Sequence, residues 1–201
     1  MGLVNVKLDT TKLASWAEEL SIRGMRNAIR RAVDQSARAA RKVAIAVIAA
    51  DIGVSASKIR PATPKVVATK AGDLAARWTI SKLRVSILNV QGATVSRLGG
   101  LTASTHRLTG GGSASLNVGK AFIVNANGGR FVAFRRGSER LPVKAIYAES
   151  PATAMGQDGA AARVTWQNEA NKQLATRLPV EVQKQLVAEG LSAATPDNSG
   201  D

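Results

Sequence analysis

From about Leu13 to Asp51, apolar residues recur at three- and four-residue spacing, with Ile22, Met25, Ile29, Val33, Ala40, Val43 and Val47 on one face. That period predicts a long amphipathic helix, which Asp9 or Thr10 can cap and in which Gly24 is the weakest point. At about 1.5 Å per residue, the stretch from Ile22 to Ala50 would extend roughly 40 Å. Arg23, Arg26, Arg30, Arg38 and Arg41 fall on the opposite face with Asp34 among them, and they read equally as a solvated surface or as a polyanion-facing track. Past Val43 the run Val-Ala-Ile-Ala-Val-Ile-Ala-Ala50 is apolar on all sides, so a sheet or another copy must cover it. Ahead of the helix, Gly2 to Asp9 alternates as a short strand would.

Downstream, Gly53 stops the helix, and a short new one follows, capped by Ser55 and ended by Pro61. Lys65–Thr69, Leu74–Ile80 and Leu83–Val90 are β-prone runs expected to pair with later strands. Residues 92–118 hold many glycines, serines and threonines and predict a flexible loop or arm suited to contact between subunits. From Gly119 to Pro151 three apolar-rich runs are cut by two Gly-bearing turns. Ala121–Asn125 stops at Asn125-Ala-Asn-Gly-Gly129, Arg130–Phe134 returns, and Arg135-Arg-Gly-Ser-Glu-Arg140 turns before Leu141–Ile146. This is an antiparallel meander with a basic turn, and Phe122, Phe131, Phe134 and Ile146 are its expected core. A helix from about Asp158 to Arg177 carries Trp166, Ala170, Leu174 and Leu178 on one stripe, and Pro179 opens another that runs to Gly190. The order predicts an α+β fold: a long N-terminal helix packed on a mostly antiparallel sheet with a long Gly-rich loop, then C-terminal helices. It forms a single domain over residues 1–190 with a disordered tail at 191–201.

Composition narrows the chemistry. Zero cysteines among 201 residues exclude disulfides, thiol nucleophiles and Cys-based zinc sites. One histidine, His106, cannot make a metal site alone, and the acids show no clustered spacing. Ser55 and Lys58 spell S-x-x-K without a partner motif, and Gly110-Gly-Gly112 lacks the Lys-Ser ending of a phosphate loop. The expectation is a protein that is not an enzyme and carries no cofactor or metal. No apolar run reaches about 18 residues and no secretory signal opens the chain, which predicts no membrane association. Net charge is +14, which predicts attraction to polyanions. With aromatics at only 3%, the Trp and Phe scattered and Tyr147 the only tyrosine, sequence-specific or single-strand recognition of nucleic acid is disfavoured, and contact through charge alone remains open.

Gly110-Gly-Gly-Ser113, Ala121-Phe-Ile123, Gly129-Arg130-Phe131, Arg135-Arg136, Leu141-Pro142-Val143 and Pro151 stand in an order and spacing that resemble the minor tail protein Z family of long-tailed bacteriophages, also described as tail-completion proteins. Gly72-Asp73-Leu74 and Arg177-Leu-Pro179 extend the likeness to about two-thirds of the chain. Where that family carries a heavily basic cluster ahead of the Gly-Gly-Gly-Ser run, this chain has Arg97, His106 and Arg107. The resemblance implies a structural virion protein, made and assembled in the host cytoplasm. It would form a homo-oligomeric ring, six-fold if it matches the tube, that joins the tail tube to neck or tip proteins while tape-measure protein or DNA passes through the lumen. On this reading Arg130, Arg135, Arg136 and Arg140, with Gly110, Gly111 and Gly112, contact subunits, acidic partners or DNA. The alternative is a free basic nucleic-acid-binding protein that uses the Arg23 to Arg41 helix face as a phosphate track.

Overall fold

The computed structural model describes residues 21–70, 72–98, 100–107, 112–126, 129–156 and 159–191. The strand expected at Gly2–Asp9, the helical stretch before Ser21 and all of the expected tail except Leu191 lie outside them. The described chain is mixed α+β. Its elements are α1 (Ile22–Ile52), α2 (Ala56–Ile59), β1 (Thr94–Ser96), β2 (Gly100–Arg107), β3 (Gly112–Val118), β4 (Phe122–Ala126), β5 (Gly129–Arg135), β6 (Val143–Ile146), α3 (Pro151–Gly156) and α4 (Ala161–Ala188). The chain divides into two compact units. The first comprises Met1–Arg41, Lys65–Trp78 and Trp166–Asp201; the second comprises Lys42–Pro64 and Thr79–Thr165.

In the first unit, the buried residues of α1 are all small, and Gly24, Ala28, Ala32, Ser36 and Ala40 among them stand four apart, with Ala37 beside them. The larger residues expected to form the buried stripe lie elsewhere. Met25, Ile29 and Val33 flank the core and pack against it half-buried, and Ile22 is 76% exposed. A row of small side chains leaves a groove along the helix, and α4 supplies the complementary ridge. Trp166, Ala170, Leu174, Leu178, Val182 and Leu186 are buried at the same four-residue step. Ala28 and Ala32 form one cluster with Leu174, Leu178, Val182 and Leu186, the interlocking of four-residue rows that helix pairs use most often. Each buried Leu or Val contributes about 1.5–3 kcal/mol.

Beside that ridge runs a second four-residue row on α4, Glu169, Gln173, Arg177, Glu181, Gln185 and Glu189, which is polar. Arg177 Nη1 donates to Gln35 (2.9 Å), Arg31 Nε pairs with Glu181 (2.7 Å), and Ser21 meets Glu189, so rising numbers on α1 match falling numbers on α4 and the helices are antiparallel. The expected break at Pro179 does not occur. α4 is one helix because both rows, Leu178 to Val182 and Arg177 to Glu181, continue through the proline and offset the roughly 3 kcal/mol that its missing N–H and ring cost.

Ser21 caps α1 by accepting a bond from the Gly24 N–H (3.0 Å), and its own N–H and hydroxyl donate to Glu189 (3.1 and 3.0 Å). In an ordinary capping box the carboxylate comes from the third helical residue. Here that residue is Gly24, and a Cβ there would overlap the Glu189 carboxylate. The box is completed from the other helix. Both long helices end on a glycine with positive φ, Gly53 and Gly190, with the paired backbone bonds of a Schellman motif: Val54 N–H to Ala49 O and Leu191 N–H to Leu186 O, both 2.9 Å.

Lys65–Thr69 and Leu74–Ile80 were expected as strands, and the chain instead forms a loop there, closed by isolated bridges at Val67–Arg77 and Lys70–Asp73. Polar bonds anchor it to α1: the Thr69 N–H donates to Asp34 (2.8 Å), while Arg30 donates to the Thr69 hydroxyl and carbonyl. With so few apolar residues turned inward, side-chain anchoring replaces a strand ladder.

In the second unit, Ala44, Ile45, Ile48, Ala49 and Ile52 of α1 are buried by the chain itself, so the all-round apolar end needs no second copy. Residues 92–118, expected as a flexible loop, contain β1–β2–β3, an antiparallel sheet. Leu101 and Ala103 are buried between exposed Thr102 and Ser104, a period-two pattern that the glycine content obscured. The expected meander is present as β4–β5–β6, with Phe122 opposite Ala133 and Val132 opposite Ile146. Its buried centre is Val132 and Ala133, while Phe122, Phe131, Phe134 and Ile146 are only half-buried. Leu83–Val90 is not a strand, since Ile87–Asn89 form a 3-10 turn flanked only by isolated bridges, Ser86 to Tyr147 and Val90 to Val54. Ser55 precedes α2 without a side-chain cap bond, its hydroxyl lying 3.0 Å from that of Ser57.

Ala32→Leu should fill the groove and lower unfolding free energy by about 1–3 kcal/mol. Ala175→Leu, at an exposed position of α4, should change it by less than about 0.5 kcal/mol; thermal melts compare the two. Hydrogen bonds from Lys184 and Arg31 hold the buried Glu181 carboxyl below its ordinary 4.5, and those from Gln185 and Ser21 do the same for Glu189. A carboxyl depressed in the folded state stabilises fully above its unfolded value and loses that contribution as pH falls through the folded one. The urea midpoint of the native protein should therefore exceed that of the Glu181→Gln, Glu189→Gln variant at pH 7, and the gap should close as pH drops below about 4.5.

Candidate interaction surface

Charge is unevenly divided. The second unit holds fourteen basic and four acidic residues and so carries ten of the fourteen net positive charges. The register of β4–β5–β6 gathers five of the fourteen basic residues at one end of that sheet. Phe122 lies opposite Ala133 and Arg135 opposite Val143, so the start of β4, the end of β5 and the start of β6 meet there. Lys120, Arg135, Arg136, Arg140 and Lys144 are all exposed at this end, with Glu139 in the same turn. Lys120 adopts a left-handed φ of 60° where the chain turns into β4.

Arg135 is held in place. Its guanidinium lies over the Phe122 ring at 4.5 Å from the centroid, on the same sheet face, and its Nε donates to the Arg140 carbonyl at 3.2 Å. The ring thus supports a cation that remains solvent-facing. Arg130, grouped with these arginines in the sequence reading, is at the opposite end of β5, opposite Asn125. Five strand residues place it about 17 Å away. Lys120 and Lys144 were missed because their nearness depends on strand register. Gly110 and Gly111 lie outside the described residues, and Gly112 opens β3 opposite Arg107.

The helix face of Arg23, Arg26, Arg30, Arg38 and Arg41 is partly occupied by internal contacts. Arg30 is bound to Thr69, and Arg41 lies 6.0 Å from the centroid of the Trp78 ring, itself 6.3 Å from Trp166. Arg23, Arg26 and Arg38 are exposed and form no hydrogen bond or ion pair with a described residue. Among the described residues no group of three His, Cys, Asp or Glu side chains is placed to hold a metal, and no helix is long and apolar enough to cross a membrane. No protein-family model matches the chain, and neither a curated protein nor a solved structure matches it.

An array of exposed cations without an aromatic platform attracts polyanions through charge and does not read their sequence. Reversing Arg136 and Arg140 to Glu should make the protein leave a heparin column at clearly lower salt, and adding Lys144→Glu should lower it further. Arg130→Glu, removed from the cluster, should shift elution less than any one of the clustered reversals.

Proposed function

We propose that this protein is a structural virion component, a tail-completion or minor tail protein that forms a homo-oligomeric ring at one end of a phage tail tube and joins it to neck or tip proteins. The motif series supports the reading. Ala121-Phe-Ile123, Gly129-Arg130-Phe131 and Leu141-Pro142-Val143, three of its motifs, fall at β4, on β5 and at the entry to β6 of one sheet. The observation that carries it furthest is the cationic end of that sheet, a surface fitted to an acidic neighbouring protein or to DNA or tape-measure protein in the lumen. Six copies would match the symmetry of a tail tube, and closed head-to-tail contacts would make the ring. The tail of the virion is its place, reached after assembly in the host cytoplasm. The helix-face reading as a free nucleic-acid binder is weakened by the internal contacts of Arg30 and Arg41.

Light scattering on a sizing column at two protein concentrations tests this directly. The expected outcome is a mass several times 21.0 kDa at the higher concentration, with annular particles by negative-stain microscopy. A monomer at every concentration up to the millimolar range would reject the ring.

A further inference from the structure

The second unit has a surface cleft of roughly 500 Å³ on the side of β6 away from the cationic turn, lined by Lys82, Arg84, Tyr147, Glu149, Ser150 and Thr153 among others. It is built by a non-local pairing. Ser86 bridges antiparallel to Tyr147, and the Ala148 N–H donates to the Val85 carbonyl at 2.8 Å, so residues 82–86 run alongside the end of β6. Lys82 and Arg84 line the cleft from one segment, and Tyr147 and Glu149 line it from the other. Lys82 and Arg84 are exposed, Tyr147 is 44% exposed, and none of the three forms a side-chain hydrogen bond or ion pair with a described residue. The Ser150 and Thr153 hydroxyls bond each other at 3.0 Å and wall the cleft.

We propose that this cleft binds single-stranded nucleic acid, with Lys82 and Arg84 on consecutive phosphates and a base stacked on Tyr147. Two uncommitted cations against the single Glu149 carboxylate favour an anion. The exposed aromatic ring that lines the same cleft favours a polyanion that carries planar groups over an acidic peptide, which has no use for it. A cleft of this volume is within the size range of small-ligand sites and has room for one splayed nucleotide. The composition argued against base stacking because this is the chain's only tyrosine; folding brings two cations from more than sixty residues upstream to its side. The assignment does not depend on ring formation.

Fluorescence anisotropy with a labelled thymidine 15-mer, an abasic 15-mer, a 15-base-pair duplex and polyglutamate tests it on the full chain. The thymidine strand should bind best, with affinity falling by a log–log salt slope of about −1.4 from two phosphate contacts. Lys82→Glu with Arg84→Glu should weaken that binding at least about tenfold. Tyr147→Ala should weaken it about tenfold while leaving the abasic strand unchanged, and Tyr147→Phe, which keeps the ring, should bind as the native protein does. Circular dichroism confirms that each variant is folded. Equal affinity for thymidine and abasic strands, an unaffected Tyr147→Ala, or tighter binding to duplex or polyglutamate would each overturn the assignment.

Discussion

The fit between a row of small residues on α1 and a row of large ones on α4 is the constraint on which the first unit depends. Gly24, Ala28, Ala32 and Ser36 let the two helices approach, and Leu174, Leu178, Val182 and Leu186 fill the space so opened. A four-residue step overshoots a full turn by about 40°, so a row of this kind drifts around the helix as it advances. That drift explains how α1 buries one side near Ala28 and a different side near Ile48, where Ala44, Ile45 and Ala49 join it. An alanine-rich, aromatic-poor core is thereby made dense, because short side chains are used for approach of the backbones and not for area.

The same spacing organises the polar side of the helix pair. Glutamines, arginines and glutamates four apart on α4 reach Arg31, Gln35 and Ser21, and Glu189 supplies the carboxylate that α1 lacks at its own third position. Gly24, a weak point when the helix is considered alone, is the place where a partner's side chain must fit. Local propensity and tertiary packing disagree there, and packing prevails.

Much of the architecture was legible in the chain. The helix from Ile22, the stops at Gly53 and Gly190, the hairpin across Gly129 and the third strand before Pro151 all follow from periodicity and turn chemistry. What failed did so for physical reasons. Large apolar residues were taken for the buried stripe of α1 because hydrophobicity, not size complementarity, marks a face in sequence. Glycine-rich composition hid the alternation of Leu101 and Ala103, and Pro179 read as a boundary because the rows that hold it in a continuous helix come from contacts far along the chain. The surface was legible only in part. Arg135, Arg136 and Arg140 cluster as their proximity in sequence predicts, but Arg130 is separated by the length of β5, and Lys120 and Lys144 join through register alone.

The two units differ in how they commit their charge. The first unit uses Arg30, Arg31, Arg41 and Arg177 internally, while the second keeps Lys120, Arg136 and Lys144 for solvent or a partner. The interlocked helix pair itself is tested most directly by native-state hydrogen exchange. The account predicts that amides of residues 24–36 and 174–186 share one opening free energy, equal to that of the unit's unfolding and lowered equally by denaturant. Exchange of the 174–186 amides at a lower opening free energy, independent of residues 24–36, would contradict it.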